Sequence, residues 1–318
     1  MSRMIRLPRQ WLLGVHLIIP LLCIVYVLDQ LWLNEQLLPY LGLGSLLLPL
    51  YLLFFELPHI IASYLGFFDR AYIVHYWNHL VYVVPIIIIS TIVLYTWSPG
   101  VVIILYLILT MYHVVRQQTG IALLLGAPRN HVHHGWAWIA VVLSALVYSL
   151  TLLASALPTY LGPYIPYVTD ALFAAFLVLG LWYAYQTKQV FARWFVLATV
   201  TLFGVSFFFV VAGYIFLGFF AIRFVHDVTA FLFYTMHEHN RNSDTKHNVW
   251  YQVLARIPMP IYGLVVVISI VVAFLIRLTT AHTTYVFLVI ITLGLIHYYL
   301  ESIMWKRQSL HRQQINVH

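Results

Sequence analysis

The sequence predicts an all-α, polytopic membrane protein with about ten transmembrane helices. Three observations carry that reading. Of 318 residues, 63% are hydrophobic and only 8% are charged, a balance foreign to soluble globular domains. Apolar runs long enough to cross roughly 30 Å of hydrocarbon at 1.5 Å per residue recur along the chain. The basic residues gather in alternate connections between those runs, the pattern that orients helices in a bilayer.

The runs lie near 10–32, 41–66, 81–98, 100–126, 136–157, 167–186, 194–213, 215–238, 260–277 and 283–304. The first follows MSRMIRLPRQ. It is too long for a removed signal peptide and lacks the small-residue cleavage site. Within 194–238, the division into two spans rests on Gly213 and Tyr214. With the N-terminus in the cytoplasm, thirteen of the 16 basic residues fall in inside segments, from Arg3 to Arg312. Only Arg277 falls outside, and Arg116 and Arg223 fall within spans. Both termini are therefore predicted to be cytoplasmic. No charge block or Gly/Ser/Pro linker interrupts the chain, so 1–318 reads as a single integral membrane domain. The net charge of +7 is scattered, which argues against a nucleic-acid partner. Cys23 is the only cysteine, which excludes an intrachain disulfide and thiolate iron–sulfur ligation. The stretches DRAYIVHYWNH (69–79) and TKHNVWYQVLARIPMP (245–260) read as interfacial, with aromatic and apolar residues suited to the headgroup level.

Sixteen histidines outnumber the nine acidic residues. The segment IRFVHDVTAFLFYTMHEHNRN, 222–242, carries His226, Asp227, His237, Glu238 and His239. At about 100° per residue, eleven residues bring His237 back over the face of His226. Ionisable groups inside a bilayer are expensive and mark functional sites by default. Four histidines on four spans have polar company in the sequence. Glu56 and His59 are three apart in FELPHIIASY, where Pro58 is expected to kink the helix. His113 and Gln117 are four apart, as are His297 and Glu301. His75 and His79 in HYWNH have the i, i+4 spacing that presents two imidazoles to one metal. Imidazole and carboxylate together suit non-haem iron, manganese or zinc. His131, His133, His134 and His247 read as interfacial surface residues, and His16, His282, His311 and His318 as surface residues.

The histidine clusters HYWNH (75–79), HVHH (131–134) and MHEH (236–239) resemble those of the membrane di-iron fatty-acid desaturases, hydroxylases and related oxygenases. Those families gather histidines at the cytoplasmic ends of membrane helices. The HxxHH clusters of desaturases do not occur here. Pro58-His59, His113, His226, His237 and His297 are similar in arrangement to the bacterial membrane β-carotene-cleaving oxygenases of the Brp/Blh type, with Ile60 where that family has glycine. Both resemblances imply a metal-dependent membrane oxidoreductase.

The expectation is therefore an oxygen-dependent enzyme with iron, two ions in the leading reading and manganese or zinc as alternatives. It would act on a lipophilic substrate drawn from membrane lipid: an acyl chain, an isoprenoid or a carotenoid. His59, His113, His226, Asp227, His237 and His239 are the expected ligands. Glu56, His297 and Glu301 are ligands or partners that orient imidazoles, and His75 and His79 close the cytoplasmic side. No flavin or nicotinamide motif is present, so the reductant comes from a partner, a quinol or the substrate. Two other readings stay open: a metal-ion or proton transporter using intramembrane His, Glu and Asp, and a haem-binding membrane protein with axial histidines. The expected location is the bacterial inner membrane, with the site on the cytoplasmic side. Reporter fusions after Arg129 and Lys188 should read inside, and fusions after Gly162 and Thr280 outside; an inside reading after Gly162 overturns this topology.

Overall fold

Hydrocarbon offers backbone amides no partner, so an apolar chain of this length must satisfy them within its own helices. The computed structural model describes residues 4–42, 47–153, 164–280, 285–306, 308–315 and 317. It is 84% helical, with no strand among the described residues. Ten helices are long and apolar enough to cross a membrane: Arg9–Leu31, Leu47–Phe68, His79–Trp97, Pro99–Leu124, His131–Ser149, Ile165–Gln186, Val190–Val211, Ile215–Asn242, Ile261–Thr279 and Val286–Met304. They match the ten predicted runs one for one. The division within 194–238 is drawn at Gly213, whose φ of +86° is a backbone conformation that glycine adopts without a Cβ penalty. Beside it, the Tyr214 amide donates to the Phe209 carbonyl at 2.8 Å, closing the preceding helix.

Proline shapes two of the spans in the same way. Pro58 has no amide hydrogen to give the carbonyl four residues before it. The turn ahead of it, Leu52–Glu56, is wound as a π-helix, and the Leu57 amide reaches back to the Leu52 carbonyl. Pro85 stands in the same relation to a second π segment, His79–Val83, where the Val84 amide donates to the His79 carbonyl. The expected kink at Pro58 is thus a widened turn, of the kind often found at functional sites. The two stretches read as interfacial contain short helices, Arg70–His75 and Val249–Val253.

The chain forms two compact units. The first comprises Met1–Pro8, Pro49–Tyr106 and Asp227–His318. In it, Ile261–Thr280 and Val286–Met304 pack on Leu57–Leu65, and Val286–Met304 also packs on Val84–Trp97. Its core includes Ala62, Tyr72, Ala230, Tyr234, Tyr251 and Leu300. The second comprises Arg9–Leu48 and Leu107–His226. There Ile165–Gln186 packs on both His131–Leu153 and Val190–Val211.

Within the second unit, Gly218 allows a close helix approach of the kind small residues permit in membranes. Its carbonyl accepts from Ser206 Oγ at 2.6 Å and from the Tyr148 hydroxyl at 3.2 Å. A Cβ at Gly218 would lie 2.8 Å from the Ser206 carbonyl oxygen, a backbone atom that cannot turn aside. Gly218→Ala should therefore cost about 1–3 kcal/mol by overpacking. The check is a lowered thermal midpoint in detergent, with a midpoint equal to wild type counting against this packing.

Candidate metal centre

The centre of the first unit is built around His59, Asp227 and His297. All three are fully buried. His59 follows Pro58 on the second span, Asp227 lies on the eighth and His297 on the tenth. The rings of His59 and His297 meet edge to face, with centroids 4.9 Å apart. A ring nitrogen of each lies within 4.8 Å of the other, and a Glu301 carboxylate oxygen lies within 4.8 Å of a His297 nitrogen.

Each ring has a polar partner on its Nδ1 side. Ser63 has one hydroxyl hydrogen, directed at the Ile60 carbonyl at 2.6 Å. It therefore accepts from His297 Nδ1–H at 2.8 Å, which leaves Nε2 as the lone-pair nitrogen. His59 Nδ1 lies 3.1 Å from Asp227 Oδ1, and a proton held there likewise leaves Nε2 as the lone-pair nitrogen. Asp227 Oδ2 accepts from the Tyr51 hydroxyl. Metal-binding histidines commonly give their second N–H to a carboxylate, hydroxyl or carbonyl that orients the ring. Asp227, expected as a ligand, has one carboxylate oxygen beside His59 Nδ1 and the other beside the Tyr51 hydroxyl. Donors of this kind fit a non-haem metal ion: two imidazoles, with the Glu301 carboxylate near His297.

The remaining acidic candidates have phenol partners. Glu56 accepts from the Tyr106 hydroxyl at 3.0 Å. Glu301 accepts from the Tyr234 hydroxyl. A phenol donor lowers the cost of keeping a carboxylate in a desolvated site.

His237 belongs to a separate group. Its Nδ1 lies 3.0 Å from Glu238 Oε1 and its Nε2 lies 2.5 Å from the Tyr72 hydroxyl. Asp227 and His237 are ten residues apart on one helix, about 15 Å of rise. Ions of a two-metal site sit only about 3.5–4 Å apart, so the two residues cannot serve one such site. His239 is turned about 200° from His237 on the helix, leaves the cluster and faces Tyr262, with centroids 6.1 Å apart. His75 and His79 are not presented on one regular helix face. The Arg70–His75 helix ends at His75, and His79 opens the π segment. His75 is exposed, and His79 Nδ1 lies 2.6 Å from the Tyr299 hydroxyl.

In the second unit, His113 and His226 form another buried imidazole pair, edge to face at 4.9 Å between centroids. Three histidines expected at the surface are buried. His16 packs on Phe195, His133 packs on Tyr183 and His134, and His311 stacks on His237 with centroids 4.1 Å apart. His131 and His247 are exposed as expected. His282 and His318 lie outside the described residues. His311 follows the last span by only a few residues, and no periodicity in the short tail marks it as inward-facing. Tyr51, Ser63 and Tyr72 were also missed. Hydroxyl partners carry no sequence signal of their own among 23 tyrosines.

Short polar links hold the segments that follow the second and eighth spans. Asp69 caps the Arg70–His75 helix by accepting from the Ala71 amide at 2.8 Å, and its other oxygen accepts from Arg241 Nε at 2.8 Å. Asn248 caps Val249–Val253 through the Trp250 amide at 2.9 Å and donates to the Leu65 carbonyl at 2.6 Å.

No family model matches the chain, and neither a curated protein nor a solved structure matches it.

Asn248 is fully buried. Asn248→Ala removes a cap and leaves the Leu65 carbonyl without this donor, an expected loss of about 1–3 kcal/mol. Thermal unfolding in detergent measures it; an unchanged midpoint would show that the Leu65–Asn248 link holds nothing together.

Proposed function

We propose that this protein is a metal-dependent membrane oxidoreductase acting on a lipophilic substrate, with its metal held by His59 and His297. The observation that carries this is the pair of fully buried imidazoles, each with a ring nitrogen within 4.8 Å of the other and with Nδ1 beside Asp227 in one and Ser63 in the other. Glu301, with a carboxylate oxygen within 4.8 Å of a His297 nitrogen, is the proposed carboxylate donor. Iron suits this donor set best in the present reading, with manganese or zinc as alternatives. When bound, such a metal supplies oxygen activation, or Lewis-acid chemistry if it is zinc.

The chain's own residues position and insulate. Asp227 holds His59, and Ser63 holds His297, each in the tautomer that ligation needs. Tyr51 and Tyr234 donate to Asp227 and Glu301, keeping these carboxylates hydrogen-bonded away from water. Ten apolar spans put the centre within a protein whose surroundings are hydrocarbon, which favours an acyl, isoprenoid or carotenoid substrate entering from the bilayer. His113 and His226, another pair of buried imidazoles, remain candidate ligands. The site is proposed to face the cytoplasmic side of a bacterial inner membrane, with both termini in the cytoplasm and an electron donor from outside the chain.

Metal analysis of protein purified after iron-supplemented expression tests the proposal. His59→Ala and His297→Ala should each lower metal content, since loss of one of few ligands weakens a site strongly. Asp227→Asn should weaken retention by about 10–100-fold, as orienting partners typically do. Exposed His247→Ala should leave content unchanged. Full metal content in both His59→Ala and His297→Ala sinks the assignment.

A further inference from the structure

A second convergence of ligand atoms lies about 15 Å further along the Ile215–Asn242 helix, around His237. The Tyr72 oxygen is 2.5 Å from His237 Nε2 and 3.5 Å from His311 Nδ1. Tyr72, His237 and His311 come from three separate stretches of chain, and each is no more than 1% exposed. Ligands bonded to one ion at about 2.0–2.2 Å lie about 3 Å from each other, and the two observed separations bracket that value.

The hydrogen bonding sets up the imidazoles for ligation. Glu238 Oε1 takes His237 Nδ1–H, so Nε2 carries the lone pair on the side of Tyr72. Asn242 Nδ2 fixes the other Glu238 oxygen at 3.2 Å. This is the carboxylate–imidazole arrangement that orients metal-binding histidines.

A metal-free relay from Tyr72 through His237 to Glu238 accounts for His237 but not for His311. His311 Nδ1 has only the long contact to Tyr72, and its Nε2 has no hydrogen-bond partner among the described residues. A buried imidazole served so poorly costs about 1–3 kcal/mol. A cation bonded to Nδ1 gives that nitrogen a partner at bonding distance and leaves Nε2 as the N–H.

We propose that Tyr72, His237 and His311 form a metal site of their own, taking a ferric ion through one phenolate oxygen and two imidazole nitrogens. Phenolate is a hard anionic donor suited to ferric iron. Binding releases the phenol proton to solvent, with no change in oxidation state. The site is independent of the His59–His297 centre and of the reaction proposed for it.

Ferric iron added to chelator-stripped, full-length protein in detergent is the test. Wild type should develop a visible tyrosinate-to-iron charge-transfer band, with resonance-enhanced phenolate ring modes. Tyr72→Phe keeps the ring and should abolish the band. His311→Gln should weaken iron binding at least about tenfold. The double variant His59→Ala/His297→Ala should keep the band, so the two centres succeed or fail separately. Absence of the band in wild type overturns the proposal even if a variant fails to fold, as does an unchanged band in Tyr72→Phe.

Discussion

Every polar side chain placed inside this protein must find a partner, because hydrocarbon supplies none. An unsatisfied buried hydroxyl or amide costs several kcal/mol, and an isolated carboxylate costs far more. The Ile215–Asn242 helix carries the heaviest load. Asp227, His237 and Glu238 are each no more than 2% exposed. Asp227 is met by Tyr51 and His59, His237 by Tyr72 and Glu238, and Glu238 also by Asn242. These contacts require particular segments beside the helix: the second span for Tyr51 and His59, and the Arg70–His75 helix for Tyr72. Polar satisfaction thus selects one arrangement of the first unit among the many that apolar packing alone would tolerate.

Tyrosine does much of this work. Tyr51, Tyr106 and Tyr234 each give a hydroxyl hydrogen to a carboxylate, and Tyr64 gives one to the Leu293 carbonyl. A phenol suits a membrane interior because its ring replaces apolar surface and its hydroxyl needs one partner. The wealth of aromatic residues in the composition, which invites a reading as lipid-facing and interfacial, therefore includes a structural set facing inward.

The fold was legible in the sequence because its signal is long. Each span is an extended apolar run, and even the Gly213–Tyr214 break announces itself by residue type. His59, His113, His226 and His297 were legible for a related reason: a histidine inside an apolar run is conspicuous. What could not be read was pairing between distant segments. His59 looks to Glu56 in sequence, three residues away, but its buried contact is Asp227, 168 positions further along. His75 and His79 have the spacing of a metal pair only if the helix is continuous, and it stops between them. His311 sits in a short polar tail where nothing signals burial. Such contacts depend on tertiary placement, which local periodicity does not encode.

Helical rise also limits what the histidine-rich helix can do. His226 and His237 share a face, and their shared face suggests a shared site. Yet eleven residues separate them by about 16 Å, several times the spacing of ions in a two-metal site. The same helix serves two levels instead. At one, Asp227 orients an imidazole from the second span. At the other, His237 meets Tyr72 and His311, which lie outside the spans. The intervening turns are filled by apolar or hydroxyl side chains: Thr229, Ala230 and Phe233 are fully buried, and Tyr234 reaches Glu301. The two proposed centres, separated in this way, can differ in metal, affinity and role. A count of two metals per chain would then describe two mononuclear sites, not one pair. Angular periodicity brings residues to one face, but axial distance decides whether they act on one atom.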